Sequence, residues 1–180
     1  MEGLGIPDAG EKRDVALAEL VEEGSVDGRT LPLVVFGVGL QLYAIPVAAV
    51  ERVLPMVAVA PLPDAPSIAL GAVNVEGRLL AVLDLQRRLG LPARELGPSA
   101  RLLVATTSRR TVALPVDEVL GVTEVAADEI VAPDAVLPGL RVVAGIAVLG
   151  DGVALIHDLE AFLSLEQERA LQEALEAVVG

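Results

Sequence analysis

Tyr43-Ala44-Ile45-Pro46-Val47 and Val112-Ala113-Leu114-Pro115-Val116 are one phrase written twice, an apolar run closing on Pro-Val. A second echo follows in the same order: the run from Gly71 to Leu89, with Asp84 near its end, returns from Gly145 to Leu163, with Asp158 in the matching place. The first pair is offset by 69 residues and the second by 74. Two related half-units are therefore expected. A repeated sheet-forming unit with little chemistry on it points to a binding module before an enzyme.

Outward from these phrases, short apolar runs alternate with turn residues. Strands are expected at 33–38, 41–47, 52–59, 68–75 and 78–84, and again at 101–107, 111–116, 120–126, 141–149 and 153–157. Five strands per half is the natural count, in a small antiparallel sheet or barrel. The link Leu91-Pro92-Ala93-Arg94-Glu95-Leu96-Gly97-Pro98 suits a loop between the sets. A short helix is expected over Glu11 to Glu23. At the other end Ser164-Leu165-Glu166-Gln167 has capping-box form, so a helix is expected from about Leu165 to Val178, with Leu171, Leu175 and Val178 on one stripe.

The chain has 180 residues, enough for a core in one domain or two small lobes. It is 53% apolar yet only 2% aromatic, so that core is built from Val, Leu, Ile and Ala. The net charge of −13 is unevenly spread. Residues 1–30 carry eight acids and three bases, residues 31–157 twelve and nine, and residues 158–180 six and one. The acidity therefore belongs to the terminal segments, and no cluster of Lys or Arg exists to neutralise phosphates, which argues against nucleic acid as a partner. The absence of cysteine suits a reducing cytoplasm and removes thiolate nucleophiles and thiolate metal sites. No basic-then-apolar leader opens the chain, so export is not expected. Leu31 to Val50 is uncharged and long enough to span a bilayer as a helix. Pro32, Gly37, Gly39 and Pro46 punctuate it where two strands would turn, which disfavours membrane insertion.

Catalytic chemistry finds little support. Asp84 and Asp158 hold equivalent places in the repeats, as a carboxylate dyad would. They are followed by Leu85-Gln86 and Leu159-Glu160 rather than by the Thr-Gly or Ser-Gly of pseudo-dimeric aspartic proteases. The simpler expectation is that Asp84, Asp158 and Ser164 each cap a helical turn. His157 is the only histidine, so neither a histidine metal site nor a second acid–base arrangement is available. No enzyme, no metal and no cofactor is expected. An acid/base enzyme using Asp84 and Asp158 is the weakest alternative.

From Leu33 to Leu163 the sequence resembles the CheW-like domain of bacterial chemosensory adaptors. The matching pieces, in order, are Tyr43 to Val50, Leu62-Pro63-Asp64-Ala65-Pro66, Gly71-Ala72-Val73-Asn74-Val75-Glu76-Gly77-Arg78, Val82-Leu83-Asp84-Leu85, and Val112 to Val119 with Gly121-Val122. The resemblance implies an all-β fold of two small five-stranded SH3-like barrels packed side by side, with short helices and a C-terminal helix. It implies an acidic N-terminal segment at 1–30, the domain proper at 31–163 with lobe one mainly 40–90 and lobe two mainly 100–158, and the C-terminal amphipathic helix at 164–180.

The function implied is that of a cytoplasmic adaptor recruited to receptor arrays at the inner face of the membrane. Its partners would be the regulatory domain of a CheA-type histidine kinase, the cytoplasmic tip of a chemoreceptor and other CheW-like domains. A diverged paralogue acting as competitor or array spacer is the alternative. Partner contacts are implied at Val50, Arg52, Val53, Asn74, Val75, Glu76, Gly77, Val116, Asp117 and Val119. In the family, the Asn-x-x-Gly turn usually carries arginine at its third place, and a glutamate usually follows the Pro-Val-x-x-Val stretch. Here Glu76 and Arg52 hold those positions, so the charges are exchanged and the two side chains are expected to meet.

Overall fold

The computed structural model describes residues 29–88, 90, 92, 95–133, 143–150 and 152–179. The helix expected over 11–23 lies outside them. Among the described residues eleven strands form two sheets: β1 (Thr30–Val38), β2 (Gln41–Pro46), β3 (Val50–Pro55), β4 (Ala69–Val75), β5 (Arg78–Leu83), β6 (Arg101–Thr106), β7 (Thr111–Val116), β8 (Glu118–Ala126), β9 (Ile130–Val131), β10 (Val143–Leu149) and β11 (Gly152–His157). A one-turn helix α1 (Leu85–Arg88) follows β5, and helix α2 (Leu165–Val179) ends the chain. Leu31 to Val50 is occupied by β1, β2 and a 3-10 turn at Val47–Ala49, not by a helix. No helix among the described residues is long and apolar enough to cross a membrane.

The two sheets are copies of one plan. One runs β8-β1-β2-β11-β10-β9 and the other β3-β6-β7-β5-β4. The last position of the second is taken by an isolated bridge between Ala60 and Ala72, where the first has Ile146 against Val131 in the two-residue β9. Each sheet thus has five principal strands, and the fold is the all-β class expected, with short helices and a C-terminal helix.

The lobe boundaries at 40–90 and 100–158 are not how the strands divide. β6 and β7 join the sheet of β3, β4 and β5, while β2 pairs with β11. Contacts accordingly cluster into two interleaved units, one holding the described residues up to Val35 with Leu42–Ala48 and Gly121–Leu159, the other Phe36–Gln41, Ala49–Leu120 and the chain from Glu160. The physical reason is that a Pro-Val strand pairs parallel with a hairpin strand, and parallel neighbours need a long connection that adjacent segments cannot provide.

Each unit has its own core of alternating aliphatic positions. In one, Leu31, Leu33 and Val35 project from the same face of β1 onto Ala44, Ala154 and Ile156. In the other, Val73, Leu80, Val82, Leu102, Val104 and Ala113 meet, with Val73 opposite Leu80 and Val104 opposite Ala113 in register. Members of each cluster recur at every second residue because a pleated strand turns alternate side chains to one face, and the intervening residues of the central strands are buried as well.

Gly71 marks the bulge in β4, where the register slips between Ala69 and Gly71, as it slips between Val143 and Gly145 in the other sheet. Its φ is 155°, and a Cβ built there would lie 2.1 Å from the carbonyl oxygen of Ala60. Only glycine permits the close approach that forms the Ala60–Ala72 bridge, whose two hydrogen bonds measure 2.9 and 2.8 Å.

Helix α2 starts at a reciprocal cap. The Gln167 N–H donates to Ser164 Oγ at 3.1 Å, and the Ser164 N–H donates to Gln167 Oε1 at 3.0 Å. The helix buries Leu171 and Ala174. Arg110, at the start of β7, holds it in place: Nε donates to Glu168 Oε2 at 2.9 Å and Nη2 to Gln172 Oε1 at 3.2 Å. Both ends of the Arg110–Glu168 pair are largely buried, at 13% and 14% exposure, so water screens it less than the surface pairs described below.

Candidate functional site

The richest polar surface among the described residues lies where β3 meets the β4–β5 turn. β3 and β4 are opposite edges of their sheet. Arg52 Nη1 donates to Glu76 Oε1 at 2.9 Å, and Arg78 Nη1 donates to Glu51 Oε2 at 2.8 Å. Two antiparallel ion pairs therefore join the β3 edge to the far hairpin, and the sheet is rolled into a barrel.

A bulge makes this possible. Val50 faces Ala105 and Arg52 faces Val104, so Glu51 is an extra residue in the ladder. In a regular strand, neighbours point to opposite faces. The bulge breaks that alternation and turns Glu51 and Arg52 toward the same hairpin.

The hairpin is equally determined. Glu76 has φ 51° and Gly77 has φ 86°, the two positive values a type I′ turn requires. Asn74 Oδ1 accepts the N–H of Gly77 at 2.8 Å and closes the turn. At the equivalent turn of the other sheet, Gly150 takes the left-handed place, with φ 55°. A glutamate is thus held where its repeat counterpart uses glycine, a conformation that costs a side-chain-bearing residue about 1–2 kcal/mol.

Both partners of the Arg52–Glu76 pair are accessible, at 39% and 71%. The hydrogen bond from Arg52, and then its charge, holds the Glu76 carboxyl below the usual carboxylate value. The same bond and charge raise the Arg52 guanidinium further above its already high one. In water such an exposed pair is screened and contributes little to stability.

The other implied contact residues separate by location. Val53 is 40% exposed on β3 beside the pair, Val50 and Val119 are half-buried, and Asn74 and Gly77 are exposed at the turn. Val116 is fully buried and Val75 is 7% exposed, so neither side chain stands on the open surface with the others. Asp117 is half-buried and structural: its N–H donates to the Gly37 carbonyl at 2.9 Å, and Oδ2 accepts the Gly39 N–H at 2.6 Å, fixing the β1–β2 turn.

Asp84 Oδ1 accepts the Gln86 N–H at 2.9 Å at the start of α1, with Arg87 Nε 3.7 Å from its other oxygen. Asp158 is half-buried before the 3-10 turn Leu159–Ala161. His157 is buried at the end of β11. Among the described residues no group of three or more His, Cys, Asp or Glu is placed to hold a metal.

Sequence reasoning passed over two features. The first is the Glu51–Arg78 pair, whose signal was that each residue adjoins the Arg52–Glu76 pair. The second is a set of exposed aliphatics. Val122, Val148 and Val153 are 64%, 51% and 46% exposed, the last two facing each other across β10 and β11. By the repeat offsets they stand at the positions of Val53, Asn74 and Leu79, and the glycines 121, 150 and 152 replace Arg52, Glu76 and Arg78. The same surface is charged on one copy of the sheet and apolar on the other. Comparing the repeats for polarity, as well as for likeness, would have exposed that contrast.

Two like barrels, one with a clamp of paired charges and one with outward valines, define a protein-binding module, with binding surfaces made of apolar patches and register-setting polar groups. The family model described as the CheW-like domain matches residues 32–167. The chain belongs to the CheW-like domain family. Among curated relatives, it is 36% identical over 89 residues to the chemotaxis protein CheW of Rhizobium meliloti, covering 48% of this chain and 56% of that one. It is 28% identical over 143 residues to a probable chemotaxis protein CheW of Rhizobium etli, covering 77% and 90%. The crystal structure of the scaffolding protein TtCheW from Thermoanaerobacter tengcongensis superposes with a TM-score of 0.70 at 25% identity, over 76% of this chain and 94% of the other.

Proposed function

We propose that this chain is a non-enzymatic chemosensory adaptor that couples the cytoplasmic tip of a chemoreceptor to the regulatory domain of a CheA-type histidine kinase, at receptor arrays on the cytoplasmic face of the membrane. The observation that carries this reading is the pair of unlike surfaces on one repeated fold within a family whose relatives include chemotaxis and scaffolding proteins. A coupler needs at least two docking faces with different partner preferences, and the charged clamp of Arg52, Glu76, Glu51 and Arg78 differs from the aliphatic face of Val122, Val148 and Val153 in just that respect. Charged groups on an exposed face set register and exclude wrong partners, while outward valines supply the area to be desolvated.

The test is a titration of the purified chain with the kinase regulatory domain of its own organism, followed by receptor tip fragments. Binding of both together supports coupling. Binding of the kinase domain alone, with exclusion of the receptor, assigns the chain to the competitor or spacer role instead. Binding of neither overturns the proposal.

A further inference from the structure

We infer that the two sequence repeats are reciprocal strand donors, so that a chain cut in the link between α1 and β6 remains one body in which neither piece holds a sheet without the other. The inference rests on the strand pairing and is independent of the proposed function.

Each sheet contains a parallel joint. In one, Ala81 and Val82 of β5 face Val112 and Ala113 of β7. In the other, Leu155 and Ile156 of β11 face Tyr43 and Ala44 of β2. Adding the 74-residue offset to 81 and 82, and subtracting the 69-residue offset from 112 and 113, converts the first set of pairs into the second. The two joints are the same joint in the same register, used twice with the donors exchanged. The hairpin of the first repeat completes the sheet of the second repeat's Pro-Val strand, and the reverse holds as well.

The joints are central in their sheets. β7 and β5 are the third and fourth strands of β3-β6-β7-β5-β4, and β2 and β11 are the third and fourth of β8-β1-β2-β11-β10-β9. Ala81, Val112, Ala113, Ala44, Ala154 and Ile156 are each 2% exposed or less. Removing either repeat would therefore leave the other with two half-sheets, each with a buried strand edge opened to water and its backbone donors and acceptors without ladder partners. Most of the apolar area would be re-exposed with it, and hydrophobic burial is the main term that offsets chain entropy.

The experiment inserts a specific protease site after Glu95, an exposed residue in the link, into the full-length chain, and cleaves the folded protein. The two pieces are expected to co-elute as one species of unchanged size and to part only in denaturant. On dilution from denaturant the refolding half-time should shorten in proportion to protein concentration, because strand exchange between separate pieces is bimolecular. Either piece refolded alone should lack the sheet signal. Pieces that separate under native conditions, or that refold at a rate independent of concentration, overturn the inference. A second arm reads the register directly in this cysteine-free chain. In-register strand neighbours lie about 4.8 Å apart, inside the span a disulfide bridges. Ala81→Cys with Val112→Cys, and separately Leu42→Cys with Ala154→Cys, should each hold the cleaved pieces together in non-reducing denaturant. Failure of both pairs to link the pieces also overturns it.

Discussion

Arg52 and Glu76 come from opposite edges of one sheet and meet at 2.9 Å, closing a barrel through an ion pair that remains open to solvent. The bond orders a surface more than it stabilises a fold. Its cost is visible in the left-handed backbone of Glu76, and its exposure to solvent keeps the return small.

Reversing the pair separates geometry from field. Arg52→Glu and Glu76→Arg are each expected to weaken binding of the cognate partner, since each leaves two like charges face to face. The double variant restores attraction across the barrel seam, so its stability and binding should exceed what the two single effects sum to. Chemical denaturation and partner titration of all four proteins check this. Additive effects in both readouts would show that the two side chains act separately.

Glu76→Gly removes the pair and relieves the backbone together. A left-handed backbone costs a side-chain-bearing residue about 1–2 kcal/mol while the exposed pair returns little, and the relief is partly offset by the greater freedom of glycine in the unfolded chain. The variant should be as stable as the parent, or more so by up to about 1 kcal/mol, while binding its partner more weakly. Thermal unfolding and a binding isotherm measured together decide it, and an equal loss of both would assign Glu76 a structural role.

The carboxyl of Glu76 titrates below its ordinary value of 4.5, held there by the hydrogen bond and charge of Arg52. A lowered folded-state value means that the pair's contribution is fully present above the unfolded-state value and disappears as pH falls through the folded one. Neutral and mildly acidic solutions should leave the Arg52–Glu76 pair closed, and it should open only below the usual carboxylate range. A carboxyl chemical-shift titration would follow this, and Arg52→Gln should return the midpoint toward 4.5.

Gly71→Ala places a methyl group against the Ala60 carbonyl oxygen, a main-chain atom that a rotamer change cannot move aside. The bridge between Ala60 and Ala72 must open or the bulge must shift, at a cost of about 1–3 kcal/mol. Urea unfolding should show a lower midpoint, with amide exchange of Ala72 accelerated before the rest of its sheet. Gly77→Ala is a useful contrast, since its Cβ meets nothing within 4 Å and the penalty there comes from its positive φ.

Much of this was legible along the chain. Alternation in Leu31, Leu33 and Val35, or in Leu102 and Val104, specifies strands because a pleated backbone turns every second side chain inward. Ser164 and Gln167 announce the start of α2 because a cap is local, its donor and acceptor three residues apart. The twofold repetition of Pro46-Val47 and Pro115-Val116 established the doubled plan, and the pairing of Arg52 with Glu76 was an expectation implied by the family resemblance, in which the two positions carry the opposite charges.

Other features required the folded chain. Which hairpin completes which sheet depends on long-range parallel pairing, and sequence order favours the wrong answer: adjacency suggests that each repeat folds on itself, whereas β5 joins β7 and β2 joins β11. The burial of Val116 and Val75 depends on which distant strands cover their faces, which the local sequence does not state. Sequence by itself determined the elements, the repeat and the family, because these rest on local geometry and short-range pattern. Only tertiary structure decided the exchange of strands and the charged and apolar faces, because pairing and exposure depend on distant segments competing for the same edge.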